Sequence, residues 1–338
     1  MANKCLVIAE IGINHNGDIS LAKETIIAAK ECGVDAVKFQ TFKAEEFIGD
    51  SNLTYTYESQ GKTVTESQIE MFKRYEFSRN EWLDIIQFCN KNEVLCFTTP
   101  QNKSDLDFIL DIFSPPIIKV GSDDLTNLDL LRYYASKKIP MIISTGMSFS
   151  DEIEEAIEIL REFPNLDFTV LHCVSSYPTE DFEVNMKKML TIKEKFNVKI
   201  GFSDHTRDHL AAIVAVAQGA VVIEKHFTLD NNLPGPDHRF SANPTQMKKL
   251  VQGVRRTEIL LGSPDLVPVK SEIAMRSLAR RSIVVNKSLP KGHVLCREDL
   301  SFKRPGTGLP PKKVDDFIGE TLKVNKSKND IILYEEIL

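Results

Sequence analysis

Short apolar runs recur along the chain, and each is followed by a stretch in which apolar residues return every three or four positions. The runs are CLVIAEIG, AVKFQ, VLCFTTP, PIIKVGS, PMIISTGM, DFTVLHC, KIGFSDH and AVVIEKHF. The helical stretches begin with LAKETIIAAKECG and continue from about Asn80, Ser104, Asn127, Ser150, Asn185 and Asp208, with a last one at Pro244–Leu261. Near-continuous apolar strands suit a parallel sheet buried on both faces, which crossover helices cover. Eight such units within about 250 residues predict a closed (β/α)₈ barrel. A doubly wound open sheet is the rival, but the first turn, GINHNGD, lacks the GxGxxG spacing of a dinucleotide fold.

Polar residues interrupt these runs at one end. Glu10, Lys38, Gln40, Thr98, Lys119, Ser122, Ser144, His172, Ser175, Ser203, His205, Glu224, Lys225 and His226 fall at or just beyond the carboxyl ends of the predicted strands. Ionisable groups in an apolar core are costly unless paired or used, so this placement predicts one polar mouth at the catalytic end of the barrel. Any one of them could be a solvent-facing strand end. The recurrence of lysine, histidine and glutamate is harder to explain that way.

Two longer irregular regions stand out. The segment Thr41 to Ser78 exceeds an ordinary βα connection and reads as a lid or substrate wall, or else as a disordered insertion. After the barrel, proline and glycine punctuate LLGSPDLVPVK, and short strand candidates follow from Arg281: RSIVVN, VLCREDLSFKRP and TLKVN. The expected organisation is a barrel over 1–262, a linker over 263–280 and a small β-rich module over 281–338. A module that small buries little surface alone and should dock on the barrel or on a partner chain.

Composition narrows the class. The 338 residues are 42% hydrophobic and 27% charged, with a net charge of −6, as in ordinary globular proteins. The acidic balance argues against nucleic acid as a partner. No run reaches the ~20 apolar residues of a membrane span, and no signal-peptide pattern follows the first residues. A cytoplasmic location is expected. Six scattered cysteines without a CxxC pair read as free thiols.

The candidate chemistry follows from the strand ends. His205 and His226 end adjacent strands and could converge on one divalent ion, although either alone would more often be structural. Lys38 and Lys119, expected at opposite sides of the ring, together with the hydroxyls of Thr98, Ser122, Ser144 and Ser203, suit a substrate bearing carboxylate and phosphate groups. A Schiff-base lysine is the competing role. LPGPDHRF sets Asp237 and His238 in a stiff turn, either over the mouth or facing solvent. Lys303 and Arg304 are a surface pair or a cation supplied to a mouth, across subunits if the module reaches a neighbouring chain.

The motifs IAEIGINHNGD, VKFQTFK, FTTP, IKVGSDD, ISTGM, HCVSSYP, GFSDHT, EKHFTLD, GPDHRFS, ARRSIV and KRPGTG, in that order, closely resemble the bacterial sialic acid synthase family. That family includes N-acetylneuraminate, legionaminate and pseudaminate synthases. The resemblance implies a (β/α)₈ barrel with a C-terminal antifreeze-like (SAF) domain, and a homodimer in which that domain caps the partner's barrel. It implies a divalent metal, Mn²⁺ or else Mg²⁺ or Co²⁺. The implied reaction joins phosphoenolpyruvate to an open-chain N-acetylmannosamine-like aldehyde and releases phosphate.

By motif match His205 and His226 would be metal ligands. Lys38, Thr98, Lys119, Ser122, Ser144, Ser175 and Ser203 would hold phosphoenolpyruvate, and Glu10 would be the catalytic carboxylate. Tyr177 and Asp237 would lie near the sugar, with Arg304 of the partner chain at its N-acyl group. Ser175 stands where the N-acetylneuraminate branch usually has asparagine, as in the legionaminate and pseudaminate branches. The expected product is N-acetylneuraminate, with legionaminate and then pseudaminate as alternatives. A sugar-binding or structural protein that has lost its chemistry is a remote further reading.

Overall fold

A computed structural model describes residues 4–337; residues 1–3 and 338, at the outer ends of the two expected domains, lie outside the described residues. The strands are β1 (Leu6–Gly12), β2 (Ala36–Thr41), β3 (Thr54–Ser59), β4 (Lys62–Ser67), β5 (Leu95–Pro100), β6 (Ile118–Val120), β7 (Met141–Ser144), β8 (Phe168–Cys173), β9 (Lys199–Asp204) and β10 (Val222–His226). β11 (Ser282–Val285) and β12 (Leu300–Lys303) complete the set. Eight of them close a parallel barrel in the order β1-β10-β9-β8-β7-β6-β5-β2. The register aligns Glu10 with His226 on one side and with Lys38 on the other. This is the (β/α)₈ architecture expected from the apolar periodicity.

Two apolar layers hold it. Inside the barrel, Ile8, Ala36, Phe97, Ile142, Leu171 and Val222 fill the floor beneath the mouth. The opposite faces of the strands pack on the surrounding helices, with Phe39, Tyr134, Phe202 and Phe227 fully buried. Gly201 belongs to the inner layer for a steric reason: a Cβ there would stand 2.5 Å from both Leu171 Cδ2 and the Val222 carbonyl.

The helix over Ile19–Cys32 starts at Asp18, whose carboxylate accepts from the amides of Ser20 and Leu21, and it stops at left-handed Gly33. The first strand is fastened to the last barrel helix, Pro244–Leu261, by Arg255, which donates to the Cys5 carbonyl (2.8 Å) and also pairs with Asp35.

The segment beyond β2 is ordered. β3 and β4 form an antiparallel hairpin, flanked by short helices at Ala44–Phe47 and Gln68–Lys73. Ile13, Phe42, Met71 and Tyr75 form a small core of their own beneath it. The reading of 41–78 as a wall is the one this packing supports; an unstructured insertion could not bury that cluster.

The chain divides into two compact units, Met1–Gly262 and Ser263–Leu338. The second contains a helix at Lys270–Ala279 and the antiparallel pair β11–β12 over a separate core that includes Ile283, Leu295, Phe317 and Ile332. Its buried Asp299 accepts from His293 (2.7 Å) and from the Cys296 amide (3.0 Å), and it pairs with Lys287 (2.9 Å). Burial by itself would raise this carboxyl, but these partners outweigh it and hold it well below the usual aspartate range.

Candidate active site

Alternation along each strand decides which side chains enter the barrel. Above the apolar floor, the inward positions are Glu10, Lys38, Thr99, Lys119, Ser144, Cys173, Ser203 and Glu224; one step higher come Gln40, Gln101, Gly121, Ser175, His205 and His226. Together with Ser122 and Tyr177 these residues line a cavity of about 380 Å³ at the carboxyl ends of the strands. Phe47 and Phe72, from the two short helices after β2, close one side.

Three polar residues expected at this mouth point the other way. The Thr98 hydroxyl meets Thr41 at 2.8 Å, and its neighbour Thr99 faces the cavity. His172 binds the Val184 carbonyl (2.6 Å), and Lys225 is paired with Asp204 (2.9 Å). Each precedes or follows an inward residue by one, so the two-residue repeat sends it between strand and helix. Counting by twos from Lys38 and Lys119 would have separated these residues from Thr99, Cys173 and Glu224.

The two lysines are not on opposite sides of the ring. β2 and β6 are separated only by β5, and both amino groups reach the same carboxylate, each lying 3.9 Å from an oxygen of Glu224. Lys38 also pairs with Glu10 (2.6 Å) and donates to Thr99 (2.7 Å); Lys119 donates to Ser144 (2.8 Å). Glu224 accepts from Ser203 (3.1 Å), and Glu10 from Gln40 (3.2 Å). Burial pushes the Glu10 carboxyl up to about 7 against the pull of Lys38. Burial opposes ionisation of Glu224 as well, yet Lys119 and Lys38 outweigh it and hold that carboxyl below its ordinary value. Lys119 is lowered, chiefly by loss of water.

His205 and His226 face each other with ring centroids 5.5 Å apart. His205 Nδ1 is engaged by the Val174 carbonyl at 2.8 Å, which fixes the tautomer and leaves Nε2 free to donate a lone pair. His226 Nδ1 is buried without a hydrogen-bond partner, 3.8 Å from Asp237 Oδ2. Desolvation first, then the nearby His205 and lysines, drives His226 well below the usual histidine range, so it is neutral. Burial raises Asp237 to about 6.

Two facing imidazoles, the neutral His226 with an orphaned nitrogen and His205, raised above its ordinary value against burial, chiefly by Cys173, would fit a divalent cation that displaces any proton on His205. Among the described residues no group of three or more His, Cys, Asp or Glu side chains is arranged to hold a metal. The charges agree with a cation arriving from outside, because Lys38 and Lys119 are offset by Glu10, Asp123 and Glu224 in the same lining. Tyr177 packs its ring 4.1 Å from His205 and 4.9 Å from Phe240. Ser122 accepts from the Gly146 amide at 2.9 Å, and the Ser175 hydroxyl lies beside the same glycine, where a Cβ would stand 2.3 Å from it. Arg304 belongs to the second unit.

A charged, buried cluster at the carboxyl ends of a closed parallel barrel defines a (β/α)₈ barrel enzyme. The chain belongs to the NeuB family, whose model matches residues 25–265, and a SAF domain matches 280–338.

The chain is 40% identical to the N,N'-diacetyllegionaminic acid synthase of Legionella pneumophila over 98% of its own length and 94% of that protein. It is 36% identical to the enzyme of the same name from Campylobacter jejuni, over 97% and 99%. Among solved structures it resembles the N-acetylneuraminic acid synthetase of Leptospira borgpetersenii, at 34% identity and TM-score 0.73, covering 81% of this chain and 90% of that one. The reaction characteristic of the family, condensation of phosphoenolpyruvate with a sugar, is the reaction class of this chain.

Proposed function

We infer that this chain condenses phosphoenolpyruvate with open-chain 2,4-diacetamido-2,4,6-trideoxymannose and water, giving N,N'-diacetyllegionaminate and phosphate. The convergence of Lys38 and Lys119 on one cavity beside the facing imidazoles of His205 and His226 carries the reaction class. The choice of sugar is supported by the two legionaminate synthases just described and by serine at position 175. It replaces the N-acetylmannosamine expected from the motifs alone.

In this reading Lys38, Lys119, Thr99, Ser122, Ser144, Ser175 and Ser203 hold the carboxylate and phosphate of the donor. Thr99 takes the role first given to Thr98 because its hydroxyl faces the cavity. His205 and His226 would hold a divalent cation, Mn²⁺ in this reading, which would supply Lewis-acid polarisation of a carbonyl when bound. Tyr177 and Asp237 orient the acceptor chain so that its aldehyde carbon meets C3 of phosphoenolpyruvate.

As the carbon-carbon bond forms, positive charge develops at C2, and Glu10 orients the water that adds there and takes its proton. A carboxyl raised to about 7 is suited to hold that proton and pass it to the former aldehyde oxygen, which becomes a hydroxyl, while the remaining proton of the added water departs with phosphate. Collapse of the resulting centre breaks the carbon-oxygen bond to phosphate, which leaves with the bonding pair, still within reach of the two lysines. A homodimer completes the proposal, with the C-terminal domain over the partner's barrel and the partner subunit's Arg304 at the acyl group.

Phosphate release with phosphoenolpyruvate, Mn²⁺ and each of three sugars tests the reading. The sugars are N-acetylmannosamine, 2,4-diacetamido-2,4,6-trideoxymannose and 2,4-diacetamido-2,4,6-trideoxyaltrose. The second should be turned over with the highest kcat/KM. Preference for either of the others would replace the assigned product.

A further inference from the structure

Two polar residues at the strand ends, turned away from the cavity, form a bond of their own. Lys225 Nζ lies 2.9 Å from Asp204 Oδ2 and donates to the Thr206 carbonyl at 2.6 Å. Asp204 Oδ1 in turn accepts from the Thr206 amide (2.9 Å) and the Thr206 hydroxyl (2.7 Å). All three residues are buried, and nothing assigned to the condensation uses them. Loss of water around an ammonium and a carboxylate offsets most of their attraction, so a pair this deep adds little net stability. What it can fix is geometry, because neither charge has another place to go.

Its place in the chain is informative. Asp204 immediately precedes His205, Thr206 immediately follows it, and Lys225 immediately precedes His226. Lys225 therefore grips His205 from both sides, through its two neighbours. The β9–β10 register ends at Asp204 and Lys225, so His205 stands one residue beyond the last paired position. Each histidine is otherwise tied to a different part of the barrel. The His205 carbonyl accepts from the Thr179 amide (2.9 Å), and the His226 carbonyl from the Ala242 amide (2.8 Å). The Lys225 clasp joins the two strand tips to each other where the ladder has stopped.

We propose that Lys225 and Asp204 are positioning residues for the cation: their clasp, on the outer face of the barrel, holds the backbone of His205 against that of His226 and so sets the separation of the two imidazoles. The inference rests on the reading of those histidines as ligands. A site with only two protein donors depends on their convergence, and supports behind the ligands keep that convergence within a fraction of an ångström.

The test separates geometry from stability. Lys225→Met leaves Asp204 buried without a counter-charge, so the melting temperature should fall. Mn²⁺ affinity, measured by calorimetry on the folded full chain, should fall with it by at least about tenfold. The double variant Asp204→Asn/Lys225→Met removes both charges, while the oxygen of the new amide still accepts from Thr206. It should recover most of the melt and none of the Mn²⁺ affinity. Asp204→Asn alone should lower Mn²⁺ affinity severalfold, so a fold defect in one variant does not decide the outcome. Phosphoenolpyruvate affinity should change far less in all three, because Lys38 and Lys119 stand on β2 and β6.

Arg255→Met is the control. It breaks the contacts with Asp35 and the Cys5 carbonyl at the opposite end of β1, and it should lower the melt without weakening Mn²⁺. If Mn²⁺ affinity returns with the melt in the double variant, or if Arg255→Met weakens Mn²⁺ as much as Lys225→Met does, the pair is merely structural. The proposal is then refuted and the metal reading stands. If the wild-type chain binds no Mn²⁺, or binds it undiminished after His226→Ala, the ligand assignment fails and the positioning role falls with it.

Discussion

In the proposed reaction, His226 is the residue with the sharpest test. Its buried Nδ1 has no hydrogen-bond partner, and the ring is kept neutral by burial and by the positive charges around it. Orphaned polar atoms in a core are rare and call for a missing partner. His226→Ala should therefore reduce Mn²⁺ affinity, measured by calorimetry, by at least about tenfold, and phosphate release should fall with it; undiminished Mn²⁺ binding would remove the residue from the ligand set. Glu10→Gln keeps the shape of the side chain and its contact with Gln40 but removes the charge. We expect kcat to drop by roughly 10²- to 10⁴-fold, with phosphoenolpyruvate affinity in equilibrium titration changed far less.

A third residue, Asp299, belongs to stability. Its carboxyl is depressed in the folded state by its partners, so its contribution is complete above the unfolded value of about 4 and is lost as pH falls toward the folded one. Asp299→Asn should cost about 2 kcal/mol at neutral pH. The gap in melting temperature between variant and wild type should be constant from pH 5 to 8 and close below pH 4.

Single elements explain why some of these residues could be read from the chain and others could not. The strand ends of β1, β2, β6, β9 and β10 announce themselves because a charge at the end of an apolar run has few other uses. Glu10, Lys38, Lys119, His205 and His226 accordingly meet in one cavity. Thr98 and His172 look the same in one dimension, yet the pleat turns them outward to Thr41 and Val184. Phase along a strand is fixed by which face the helices cover, and one residue of slip exchanges the faces.

The loop after β1 illustrates a different limit. Gly17 sits at φ +72°, and a Cβ there would stand 2.2 Å from the Arg74 carbonyl, which ties that loop under the segment following β2. Gly17→Ala should destabilise the barrel unit by about 1–3 kcal/mol and raise KM for the acceptor by loosening Phe47 and Phe72. A melt and a KM both unchanged would show that the segment is not anchored there.

At the scale of the whole molecule, the two units have separate cores, one around the barrel and one around Phe317. A fragment ending at Gly262 should therefore fold and bind phosphoenolpyruvate. In the dimer proposed above it should lose most acceptor turnover and sediment as a smaller species than the full chain; a fully active fragment would refute a shared site.

The amino-acid order alone determined the barrel and the charged strand ends, because burial periodicity and the cost of uncompensated charge are local constraints written into neighbouring residues. Only the closed ring decided that Lys38 and Lys119 share Glu224 and that Thr99, not Thr98, faces the cavity. Those facts depend on the cyclic order of strands and the inward phase of each, which bring together residues far apart in the chain.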